Sequence, residues 1–110
     1  MASLTPKNFY TGNATAANVY TTSNTANTYS IIKNINICNT SDSANATASM
    51  HILTDGASVS TENKIISNAI VIKNDVLYYN TSIVVPANSK VYVSTSSNTL
   101  TFSISGVEYA

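Results

Sequence analysis

A chain of 110 residues with zero net charge makes one domain, with room for a single core about one pair of sheets thick. Ser, Thr and Asn supply 46 of those residues, against five Lys, five acids and no Arg, Gln or Trp. That balance excludes the basic patch a nucleic-acid binder needs and the Lys/Arg cluster that draws a protein to anionic lipid.

The apolar fraction is 44%, with seven Tyr and many β-branched residues, which excludes a disordered chain. The apolar runs are too short to span a bilayer. Met1-Ala2-Ser3-Leu4-Thr5-Pro6 lacks the charged start and apolar stretch of a secretory signal. The lone Cys38 makes no internal disulfide. Synthesis and folding in a cytoplasm is the expectation. Sequons at Asn13, Asn39, Asn45 and Asn80 occur about as often as chance allows where Ser and Thr are this common, so they carry no information.

In chain order, residues 1–17 show no sustained periodicity and read as an N-terminal arm. Within it, Phe9-Tyr10 is either tucked onto the core or offered to a neighbour. Residues 18–110 read as the folded domain. Asn18–Thr22 is a weak first strand. Tyr29–Cys38 is the strongest, with Tyr29, Ile31, Ile35 and Ile37 alternating with mostly polar neighbours. Lys33 interrupts that odd face and Ile32 the even one. Either a β-bulge near Ile32-Lys33 repairs both, or Lys33 snorkels at the sheet rim. After a turn over 39–45, Ala46–Leu53 alternates with Ala48, Met50 and Ile52 on one face. Thr54-Asp55-Gly56 ends it.

Residues 57–63 read as a polar loop. Lys64–Ser67 and Ala69–Lys73 are short strands, Asn74-Asp75 turns, and Val76–Thr81 and Ser82–Val85 follow, stopped by Pro86. The clearest hairpin sets Val91 and Val93 against Leu100, Phe102 and Ile104 around Ser96-Ser97-Asn98. No stretch supports a helix, because Asn, Ser and Thr compete with the helical backbone for its own hydrogen bonds. The pattern predicts an all-β protein. It is a single antiparallel sandwich, Ig-like or jelly-roll-like, of seven to nine short strands with an extended N-terminal arm. An up-and-down barrel is the alternative.

Chemistry-bearing residues are few. His51 is the only histidine and lies on the strand face opposite Met50 and Ile52. It reads as solvent-facing or at an interface, since a metal needs three or four convergent ligands and only Cys38 could join it as a soft one. Cys38 as a nucleophile would need His51 as its base on an adjacent strand. Its position at a strand end fits a small hydrophobe better. Of the acids Asp42, Asp55, Glu62, Asp75 and Glu108, Asp55 and Asp75 have the surroundings of turn residues, and no pair has the spacing of a hydrolase. No phosphate-binding glycine loop is present. The reading is of a non-enzyme, with no catalytic residue, no metal and no cofactor.

The tyrosines carry more. In a strand, Tyr78 and Tyr79 face opposite sides, and Tyr92 opposes Val91 and Val93. Outward tyrosines serve protein interfaces and sugar sites alike. The interface candidates are Phe9, Tyr10, Tyr79 and Tyr92.

Thr28-Tyr29-Ser30-Ile31-Ile32-Lys33-Asn34-Ile35-Asn36-Ile37-Cys38-Asn39-Thr40 resembles the opening strand of small virion proteins of tailed bacteriophages. His51-Ile52-Leu53 with Gly56, Asn63-Lys64-Ile65, Asn74-Asp75, Ile83-Val84-Val85, Lys90-Val91-Tyr92-Val93-Ser94 and Ile104-Ser105-Gly106-Val107-Glu108 are similar too. The likeness spans about residues 18–109 and rests on strand patterns, not on an active-site signature. It implies a β-sandwich structural component of a phage particle. In the leading form this is a head decoration protein that binds and stabilises the assembled shell. A neck, tail or baseplate accessory, including a module that binds host-surface carbohydrate, is the alternative. The implied partners are other virion proteins (the major capsid protein, or neck and tail proteins), with many copies per particle or a homo-oligomer. Neither nucleic acid nor membrane is a partner. Such a protein is made in the host cytoplasm and resides in the virion.

Overall fold

Short polar turns divide the chain into strands. In the computed structural model, which describes residues 3–110, eight strands result: β1 (Leu4–Gly12), β2 (Ala16–Thr21), β3 (Tyr29–Asn39), β4 (Ala46–Thr54), β5 (Lys64–Val71), β6 (Val76–Pro86), β7 (Ser89–Thr95) and β8 (Leu100–Tyr109). A single 3-10 turn, Thr61–Asn63, precedes β5. Asn27, Asp55, Asn68, Asn74 and Asn88 all take positive φ. Asn and Asp tolerate that region better than other L-residues, which is one use the chain makes of its asparagines.

All strand pairs are antiparallel. β1 pairs with β8, β2 with β7, β3 with β6 and β4 with β5. These four pairs form one long hairpin, folded at the β4–β5 connection. Further pairing of β3 with β8 and of β4 with β7 rolls the hairpin into two sheets. Sheet A has the order β1-β8-β3-β6 and sheet B the order β2-β7-β4-β5. This is the jelly-roll member of the expected sandwich class.

The core lies between the sheets. Sheet A contributes Phe9, Ile32, Ile35, Ile37, Val85, Leu100, Phe102 and Ile104; sheet B contributes Ala48, Met50, Ile52, Ile66, Val71, Val91 and Val93. Small and large side chains face each other, as interdigitated packing requires.

Four expectations are corrected. Val91 and Val93 do not form a hairpin with Leu100, Phe102 and Ile104: β7 pairs with β2 and β4 and β8 with β1 and β3, so the turn at residues 96–98 carries the chain from one sheet to the other and the two strands face each other across the core. Residues 4–12 are not an arm but edge strand β1 of sheet A, and residues 16 and 17 already belong to β2; Met1 and Ala2 lie outside the described residues. The reason is a bulge. Phe9 is the extra residue between the Asn8–Ser105 and Tyr10–Ile104 pairs, and it is the residue of β1 that enters the core. With one fully buried residue, and the bulge placing Phe9 and Tyr10 together against the core, no alternation is left to read. Next, the two short strands expected around residue 68 are one strand. Asn68 bulges with positive φ, and its N–H donates to the Ser49 hydroxyl at 2.9 Å, which keeps that donor satisfied. Likewise 76–86 is one strand, because a register shift absorbs Thr81-Ser82 opposite Lys33.

The bulge at Lys33 itself is present: Ile32 pairs with Gly106 and Asn34 with Ser105, leaving Lys33 over. It puts Ile32 on the same side as Ile35 and Ile37, all buried. Tyr29 and Ile31 are thereby turned outward. Gly106 is required beside it, since a Cβ there would collide with the Ile31 carbonyl oxygen and crowd the Lys33 N–H.

Candidate interaction surface

Register assembles the most distinctive surface of the molecule. Across the outer face of sheet A, Leu4, Tyr109, Tyr29 and Pro86 form one cross-strand row, and Pro6, Val107, Ile31 and Val84 the next. Directly paired residues point the same way, and residues two apart along a strand share that face. Eight uncharged, apolar or aromatic side chains therefore meet in a patch that crosses all four strands. Strand spacing gives it about 14 Å across and about 7 Å along the strands between Cα positions. Tyr29 and Tyr109 stack with centroids 5.0 Å apart. Leu4 is 57% and Val84 56% exposed. Contiguous patches of this kind mark interaction sites, whereas scattered apolar residues do not.

Under the patch, four polar groups tie the two sheets together. The Lys7 ammonium donates to Glu108 at 3.1 Å, and the Tyr20 hydroxyl donates to the same Glu108 oxygen at 3.0 Å. With its one hydrogen committed there, Tyr20 accepts from the Ser30 hydroxyl at 2.8 Å. The Lys7 hydrogen bond is the main cause that holds the Glu108 carboxyl below its ordinary 4.5, with the Tyr20 bond second. Burial is the main cause that raises the Tyr20 hydroxyl above 10.0.

The interface candidates separate. Phe9 is buried in the core and tilts against Tyr20 at 4.6 Å. Tyr10 is half-buried on the core, its hydroxyl accepting from the Ala14 N–H at 3.0 Å. Tyr79 also packs against the core, and its neighbour Tyr78 is the outward member of the pair, 60% exposed. Tyr92 does lie on the outer face of sheet B, half-buried edge-on to His51 at 5.8 Å. None of the four belongs to the patch on sheet A. Its members were missed because Tyr29 and Ile31 read as one face with Ile35 and Ile37; the one signal available was the Ile32-Lys33 irregularity, which reverses their direction.

Cys38 and His51 lie on the outer faces of opposite sheets, so they are not neighbours. Cys38 is exposed, not buried. His51 is only 3% exposed, so of the two expected settings, solvent-facing or at an interface, the solvent-facing one is overturned. The 57–63 segment covers it, with Nδ1 2.8 Å from the Asn63 amide oxygen. Asp75 bonds the Val76 N–H at 2.8 Å and Asp55 bonds Asn88 at 3.0 Å, as turn residues do. Among the described residues, no three His, Cys, Asp or Glu side chains are grouped to hold a metal.

A second apolar region follows the β5–β6 edge, where Ile65, Ile70, Ile72, Val76 and Tyr78 are exposed. There a groove of about 190 Å³ reaches Ile35, Ile66, Tyr79 and Ile83 between the sheets. Scans against protein families, curated proteins and solved structures each returned no match for the chain.

Proposed function

We propose that this chain is a structural protein of a tailed-bacteriophage particle, a head decoration protein that docks on the assembled shell through the outer face of sheet A. The uncharged patch spanning four strands is the observation that carries this reading. A sandwich face left uncovered by its own chain is a liability in a free monomer and an asset in an assembly. The jelly roll recurs in viral capsid domains, and also in lectins and cupins. That analogy supports the class and says nothing of position on the particle.

The energetics favour many weak contacts. A patch of about 300 Å² would contribute roughly 7 kcal/mol on burial. Association itself costs on the order of 4–15 kcal/mol. One patch alone gives reversible attachment, which stabilises a shell by mass action when the sites are many and occupied. The free edge strands β1 and β6 offer further backbone pairing.

Immunogold electron microscopy on intact particles, with antibody raised against the recombinant domain, tests the location. Even labelling over heads is the expected result. Labelling confined to neck, tail or baseplate would replace the decoration reading with that of an accessory protein at those sites.

A further inference from the structure

The outer face of sheet B holds a cleft of about 260 Å³ at the end where β4 and β7 meet their turns. Its lining includes Asn18, Leu53, Asp55, Gly56, Asn88 and Lys90. We infer that this cleft is a binding site for a neutral sugar, about one ring in size, within a glycan.

Three features lead there. The first is rigidity. Asp55, Gly56 and Asn88 all hold positive φ, and the turns that carry them are bonded to one another. The Asp55 N–H donates to the Asn88 carbonyl at 3.1 Å, the Asn88 amide donates to the Asp55 carboxylate at 3.0 Å, and the Asn88 N–H donates to the Ser23 carbonyl at 2.9 Å. Three loops are thus fixed before any ligand arrives, which lowers the ordering cost of binding.

The second is the set of uncommitted polar groups. Among the described residues, the Asn18 amide and the Lys90 ammonium donate to no protein acceptor, and the second Asp55 oxygen and the Asn88 amide oxygen accept from no protein donor. A hydroxyl both donates and accepts, so a polyol uses donors and acceptors side by side. A phosphate would be repelled by Asp55, and a metal cation by Lys90. One positive and one negative side chain leave the cleft neutral.

The third is an apolar floor. Leu53 lies at the base, mostly buried, and Ala57 adds an apolar group to the lining. Sugar rings present C–H faces that such surfaces desolvate, while the rim takes the hydroxyls. The site lies on the opposite face from the patch on sheet A, so either can fail without the other.

A 15N-labelled sample of the full chain titrated with methyl α-D-glucopyranoside, methyl β-D-galactopyranoside and N-acetyl-D-glucosamine tests this directly, with glycerol as the control. For a shallow single-ring site, a Kd on the order of 5 mM is expected. Saturable shifts should then appear for at least one sugar at Gly56, Ala57 and the Asn18 and Asn88 side-chain amides. The variant Asn18→Ala, an exposed position without a side-chain partner, should keep the spectrum of the folded domain and weaken binding about fivefold or more. Absence of saturable shifts up to about 50 mM for all three sugars, tenfold above that Kd, overturns the site. Glycerol shifts of equal size, or full binding by Asn18→Ala, overturn it as well.

Discussion

On sheet A, Leu4, Pro6, Tyr29, Ile31, Val84, Pro86, Val107 and Tyr109 stand outward at one end with nothing from the chain laid over them. On the two central strands of sheet B, β4 and β7, the outward places go to Thr47, Ser49, His51, Leu53, Lys90, Tyr92 and Ser94. The longest connection of the molecule, residues 55–63, folds back over that face and bonds His51 through Asn63. On β4 and β7 the domain covers the apolar and aromatic groups itself, leaving Ile65 and Ile70 of the edge strand β5 exposed, whereas the patch on sheet A is open across all four strands. A chain that can bury His51 under a loop has the means to cover a patch. The open face of sheet A is therefore read as the part that another molecule covers.

That contrast can be broken at its base. Gly106→Ala should force β8 away from the bulge that turns Tyr29 and Ile31 outward, because the clash is with backbone. We expect a loss of about 3 kcal/mol or more in chemical denaturation. A variant as stable as the parent would mean that the close approach of β8 to β3 does not set the face.

Asn39→Ala attacks the tie between the sheets at the end away from the patch. Asn39 is 1% exposed. Its amide donates to the Ala44 and Val71 carbonyls, and its oxygen accepts from the Ser41 N–H and the Thr99 hydroxyl. Truncation strands several buried groups and should cost about 2–4 kcal/mol by the same measurement. Burial also keeps the sequon at Asn39 out of reach in the folded chain.

A smaller effect sharpens the account of what lies beneath the patch. The Glu108 carboxyl has a lowered pKa when folded. Its stabilising share is therefore complete above 4.5 and is lost as pH falls through the folded value. Because Lys7 and Glu108 are both partly exposed, that share should be less than about 1 kcal/mol. Melting curves recorded from about pH 6 down to pH 3 should decline less steeply for Glu108→Gln than for the parent. Tyr20 has the opposite sign: its raised pKa gives stability that is intact below pH 10.0 and is lost as pH rises through the folded value.

Much of the fold was legible. The β4 alternation and the Asn74-Asp75 turn rest on local signals, period two and residues that accept positive φ; the turn at residues 96–98 was legible as well, but not that the strands on either side of it, β7 and β8, go to different sheets. The bulge at Lys33 was legible too, because a lysine on an apolar face and an isoleucine on a polar one need a single common repair. Its consequence was not. Which side Tyr29 and Ile31 take depends on where β8 and β6 pair, and pairing is a property of several strands at once. Strand β1 was unreadable for a related reason: an edge strand with one buried residue, Phe9, carries almost no period. The patch combines both blind spots, since its rows run across strands and half of its residues lie on β1 and β8. The burial of His51 was not legible because its cover, residues 57–63, is polar and reads as a solvated loop.

The most direct test of the open face is a paired substitution. Val84→Lys places one charge in the patch, and Thr47→Lys places the same charge on the outer face of sheet B. Both positions point outward, and each should change stability by less than about 0.5 kcal/mol. Binding of each folded protein to particles lacking it would be quantified by sedimentation. The account predicts that Val84→Lys weakens attachment at least about tenfold, from one desolvated, unpaired charge, while Thr47→Lys attaches like the parent. Equal attachment by Val84→Lys and the parent, or loss with Thr47→Lys alone, would contradict it.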